Sequence, residues 1–207
     1  VTSTNKDHDK LIKTPHISPY KDIPFLIFTF LSILFAICFF QLFSTLPLYY
    51  REVYLLTEKS IGIILAFSGI VIFCLEMAIV HFAEQKSTAA NAIILGVIFC
   101  GLAFSSLIIT HAILLLYFSM FLLCIAEMLA MPFMATVTLQ RSNDKNRGAY
   151  MGLNSLALSA GLIFAPWWGT KVVANYGFNT LWIGTGLLML LTAFGFYLLM
   201  KRMKLKL

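Results

Sequence analysis

The feature that most constrains this 207-residue chain is the length of its apolar runs. Six stretches, at about 23–53, 60–80, 89–110, 113–139, 148–172 and 178–200, carry few charges and follow one another with short connectors. About 20 apolar residues in helical form cross a hydrocarbon core roughly 30 Å thick. Lipid cannot satisfy backbone polar groups, so each run is expected to be a helix, whose hydrogen bonds are internal. The runs are too long and too uniformly apolar for the alternating pattern of barrel strands. Hydrophobic residues make up 60% of the chain and charged residues 12%. Soluble domains carry about 45–50% and about 25% respectively, so a soluble globule would have to expose much of this apolar surface. The expected fold class is an all-α integral membrane protein with six transmembrane helices at 23–207.

Residues 1–22 are polar, contain Pro15 and Pro19, and show no apolar stripe. They are expected to form a cytosolic arm or linker rather than a signal peptide. The sequence opens on Val1, which fits a processed or partial chain.

The formal net charge of +6 would suit nucleic acid, but the basic residues sit between apolar runs and read as topology signals. With the arm inside, twelve of the fifteen Lys and Arg residues fall in inner segments. Only Arg51, Lys59 and Lys171 fall outside. That bias puts both termini in the cytosol, and this requires an even number of spans. Tyr49, Tyr50 and Tyr54 gather at the outer end of the first span. Trp167, Trp168, Tyr176 and Trp182 gather around the last outer loop, as interfacial aromatics do. Cys38, Cys74, Cys100 and Cys124 all lie inside apolar runs without CxxC spacing, so neither a disulfide nor a metal is expected.

A carboxyl in a membrane span is costly and is a functional candidate by default. Glu127 and Glu76 are the two deep ones. Glu127 lies 16 positions after His111 and 14 before Arg141, near the middle of its span. Met120, Cys124, Met131 and Met134 share its stripe. A carboxyl on that adaptable thioether surface suits a proton relay or a site for apolar cations. The competing reading is a protonated side chain bonded to a neighbouring helix. Glu76 shares a face with Gly62 and Gly69, where close helix approach makes a structural role as reasonable as a gate. Cys38, Gln41 and Thr45 form a polar strip in the first span, and Gln41 and Asn154 are candidates for contact with a polar cavity. Gly148, Gly152, Ser155 and Ser159 form a small-residue face that is expected to pack tightly against another helix. Pro47, Pro132 and Pro166 mark kinks or helix ends.

Four stretches carry a family resemblance: FFQLFSTLPLYYREVY at 39–54, SIGIILAFSGIVIFCLEMAIVHFAEQK at 60–86, AEMLAMPF at 126–133, and NRGAYMGLNSLALSAGLIFAPWWGTKVVANYGFNTLW at 146–182. In order and spacing they resemble helices seven, eight, ten and eleven of the major facilitator superfamily. The chain is therefore similar to the carboxy-terminal half of that twelve-helix fold. The resemblance implies two inverted three-helix repeats and alternating access about a midplane site. It also implies proton coupling and, in the drug–proton antiporter branch, multidrug efflux across the cytoplasmic membrane of a bacterium. Its cavity helices would carry Glu127, Gln41, Asn154, Cys38, Thr45, Met120 and Met131 toward substrate and protons. VHFAEQKS at 80–87 resembles a degenerate copy of the family's loop motif, with Glu84 in the acidic gating position; Val80 and Gln85–Lys86 depart from the pattern. The partners implied are the bilayer, a small molecule, protons and a separate or missing amino-terminal six-helix half. No cofactor is implied.

The alternatives are an uptake carrier for a sugar, peptide or metabolite, and a non-transporting assembly subunit. An intramembrane enzyme is disfavoured, because no Ser–His pair or HExxH motif lies at membrane depth. A channel is disfavoured because there is no TVGYG filter and no Arg-rich span.

Overall fold

A computed structural model describes residues 18–109 and 112–203. Most of the expected arm, with His8 and His16, therefore lies outside the described residues, as does His111. The described residues form helices and short connections. After a 3-10 turn at Pro19–Lys21 come α1 (Ile23–Phe39), a 3-10 segment (Phe40–Phe43), α2 (Thr45–Glu52), α3 (Glu58–Lys86), α4 (Ala89–Ser106), α5 (Ile113–Arg141) and α6 (Arg147–Arg202). Taking α1 and α2 with the segment between them as one unit, five helices are long and apolar enough to cross a membrane.

Local chemistry sets the ends. Thr57 accepts a hydrogen bond from Ser60 N–H at 3.3 Å and Thr88 one from Asn91 N–H at 3.3 Å, which caps α3 and α4. Because Thr57 is the cap, α3 starts two residues before the apolar run that announces it. The first apolar run is a broken helix rather than a continuous one. Pro47 has no N–H to offer the Phe43 carbonyl, and the helix loosens to 3-10 geometry just ahead of it; Ser44, at φ −125° and ψ −75°, leaves helical geometry altogether.

The last two runs form one 56-residue element that is interrupted at Gly177, where φ is +79° and ψ 170°. That backbone conformation is nearly confined to glycine. Both limbs then lie on α1. Ala36 meets Gly161 of the first limb so closely that a Cβ on Gly161 would collide with the Ala36 backbone, while Phe28 stacks edge-on against Phe196 of the second at 5.6 Å. The two α1 residues are about 12 Å apart along their helix, whereas Gly161 and Phe196 would be about 52 Å apart on a straight one. The chain therefore doubles back at Gly177.

One hydrophobic core runs through α1, α2, α4, α5 and α6. Only Ile61, Ile64, Val71 and Ala83 of α3 are buried, so α3 sits at the edge, against α5. The antiparallel helices sort the charges. Lys21, Lys86, Arg141, Lys145, Arg147, Lys201 and Arg202 lie at one end, and Arg51, Lys59 and Lys171 at the other.

Candidate functional site

The residues singled out from the sequence fall into three places. Glu127 lies half-buried in the middle of α5 and makes no hydrogen bond or ion pair among the described residues. Its charge is within electrostatic range of Glu76 on α3 and of Cys124 on its own helix. Glu76 is exposed on the outward part of α3. Of the thioether stripe, Met131 is half-buried beside Glu127, while Met120 and Met134 belong to the packed core. Cys124 turns to α3 instead, its thiol 3.7 Å from the Ser68 carbonyl.

The second group is the strip Cys38, Gln41 and Thr45, all of it buried. It straddles the broken part of the first helical unit and turns toward α6. Gln41 Nε2 donates to Thr185 Oγ1 at 3.4 Å, and Thr45 packs against Gly169. Gln41 Oε1 is buried without a hydrogen-bond partner among the described residues, as are Tyr50 OH and Trp182 Nε1, both toward the Arg51 end of the same seam. Tyr49 bridges these groups, edge-on to Trp182 at 5.4 Å and donating to the Leu107 carbonyl at 3.1 Å. A buried orphan amide oxygen next to a helix break is an acceptor in want of a donor.

Asn154 forms the third place, at the seam between α5 and α6, where it accepts a 3.5 Å hydrogen bond from Thr138. Gln41 bonds to α6 and Asn154, on α6, bonds to α5, whereas Glu127 faces the α3 side of α5. Glu84 is exposed in the last turn of α3 without an ion pair among the described residues. The small-residue face Gly148, Gly152, Ser155 and Ser159 is exposed; a Cβ on Gly148 or Gly152 would meet nothing within 4 Å, and the same holds for Gly62 and Gly69 of α3. The expected tight packing of this face is thus not made among the described residues.

Most hydroxyls in the helices are spent locally. Thr29, Ser32, Thr138 and Thr192 return hydrogen bonds to carbonyls four residues back, at 2.7–2.9 Å. They are poor candidates for ligand contact.

The charged cluster that sequence reasoning missed is at the basic end. Asp22, one residue before α1, caps that helix through Phe25 N–H at 3.4 Å. Its carboxylate accepts from Arg141 at 2.7 and 2.8 Å and from Tyr150 OH at 2.8 Å. Burial pushes its carboxyl up, but the Arg141 and Tyr150 hydrogen bonds, the Arg141 charge and Phe25 N–H outweigh that and hold it below its ordinary 3.8. The start of α1, the end of α5 and the start of α6 are thereby joined. The legible signal was an Asp just ahead of Ile23–Pro24, a cap pattern; the partners were not legible.

No family model and no curated protein matches the chain.

Proposed function

We propose that this chain is one half of a proton-coupled secondary transporter of the major facilitator type, working by alternating access and exporting small apolar cations. In this reading α6 counts as two spans joined at Gly177, which makes six, the basic end faces the cytosol, and a second six-helix half completes the substrate path. The fold-back at Gly177 and the sorting of Lys and Arg support this topology. The exposed glycine faces of α3 and of the first limb of α6 support the second half, since small residues allow close helix approach and nothing among the described residues packs on them.

The observation that carries the proposal is Glu127. A half-buried carboxyl in the middle of an apolar helix, with no hydrogen bond or ion pair among the described residues, is costly unless it takes up a proton or a cation in use. Glu76, exposed on α3 within electrostatic range, is a second carboxyl that a relay would use. The unpaired Gln41 oxygen supplies a hydrogen-bond acceptor at the other candidate position.

The test is gradient-driven efflux of ethidium from membrane vesicles that hold this chain with its second half. Glu127→Gln is expected to abolish efflux while leaving the helical content unchanged. Efflux at the unsubstituted rate refutes the proposal. Gradient-driven accumulation of a neutral solute that does not need Glu127 would favour an uptake carrier instead.

A further inference from the structure

The second limb of α6 carries an outward stripe at Leu187, Leu191, Phe194 and Leu198, each at least half exposed. Their spacing of four, three and four residues keeps them on one helical face. The same spacing carried on reaches Lys201 and Arg202, both exposed in the last turn. From Leu187 to Lys201 is 14 residues, or about 21 Å of helix, close to the thickness of one leaflet with its headgroup. Lys21, in the 3-10 turn just ahead of α1, stands at the same end of the bundle, since Phe28 packs on Phe196 and the two helices run antiparallel.

The cations at the foot of this stripe are not neutralised by any acid among the described residues. Neither Lys201, Arg202 nor Lys21 makes an ion pair among the described residues. The acid nearest to Lys21 in sequence, Asp22, is only 4% exposed and is held by Arg141. Asp144, at the same end, pairs with Arg147 at 3.3 Å. Glu84 lies on α3, beside Lys86, and α3 packs mainly on α5. The stripe is thus apolar for its length and cationic at its foot.

We propose that this face is a docking surface for an anionic phospholipid, with the acyl chain along Leu187, Leu191, Phe194 and Leu198 and the headgroup phosphate on Lys201 and Arg202, backed by Lys21. Charge complementarity selects the anionic headgroup, because a zwitterionic one returns part of the attraction through its own cation. The inference rests on the membrane-spanning reading and is independent of transport.

The test is native mass spectrometry of the purified full chain in detergent, titrated separately with phosphatidylglycerol and phosphatidylcholine. Two cations at one phosphate should make phosphatidylglycerol bind roughly thirtyfold more tightly. K201Q/R202Q should reduce it to the phosphatidylcholine level, the charge-conserving K201R/R202K should keep the preference, and K59Q/K171Q at the opposite end should leave it unchanged. Equal binding of the two lipids would overturn the inference, as would a preference that survives K201Q/R202Q or is lost equally in K59Q/K171Q. Displacement of phosphatidylglycerol by glycerol 3-phosphate would also overturn it, because a free phosphate site would then suffice. Failure to retain either lipid would instead count against the membrane-spanning reading on which the inference stands.

Discussion

Asp22 and Arg141, 119 residues apart in the chain, meet in a two-point ion pair with Nε to Oδ2 at 2.7 Å and Nη2 to Oδ1 at 2.8 Å. Asp22 is 4% exposed and Arg141 31%. The pair closes the basic end of the bundle, where three helix termini converge.

Breaking that pair leaves a buried group without its partner, so Asp22→Asn is expected to cost about 2–3 kcal/mol, below the range for a fully buried pair because Arg141 keeps some water. The pH dependence has a definite sign. The Asp22 carboxyl is held below 3.8 in the fold, so its contribution is complete above that value and is lost as pH falls through the lowered one. Thermal melts in detergent should show the unsubstituted chain losing this stability below about pH 4. The chain carrying Asp22→Asn should lack that component of the acid limb.

Gly177→Ala places a side chain on a backbone that stays at φ +79° and ψ 170°. Nothing lies within 4 Å of the added methyl, so the cost is conformational, about 1–3 kcal/mol. Spin labels placed at 163 and 194, both exposed, should report a broader distance distribution between the limbs.

Two glycines on the first limb of α6 should respond in opposite ways. At Gly161 an added side chain runs into the Ala36 backbone, and Gly161→Leu should cost about 3 kcal/mol or more, on the scale of the worst overpacking. At Gly152 it meets nothing, and Gly152→Leu should leave the melting of this chain unchanged while weakening its crosslinking to a second half. Equal melting of both variants would show that the limb does not lie on α1.

Much of the fold was legible because apolar length is a one-dimensional property: a run of about 20 residues with few charges needs no partner to be recognised. A kink or helix end at Pro47 was legible, but its extent over Phe40–Ser44 was not, since only the packed bundle decides how far the helix loosens ahead of the missing donor. The polar strip Cys38, Gln41 and Thr45 was readable as a strip, but its direction was not. A stripe says which residues share a face, and only the neighbours decide that this one meets α6 through Thr185 and Gly169. Small residues have the same ambiguity. Gly161 and Gly152 look alike in sequence, yet one is covered and the other is not. Asp22 and Arg141 read as arm and topology charges, because nothing local links positions so far apart.

The most direct measurement is proton movement in proteoliposomes that hold this chain with its second half, followed by a trapped pH dye as ethidium is added. Antiport coupled to Glu127 predicts that protons leave the lumen as external ethidium enters in the unsubstituted protein and that none leave in Glu127→Gln, with ethidium still bound. Proton efflux of equal size in both would contradict the assignment of coupling to Glu127, and ethidium movement without any proton efflux would contradict proton-coupled export itself.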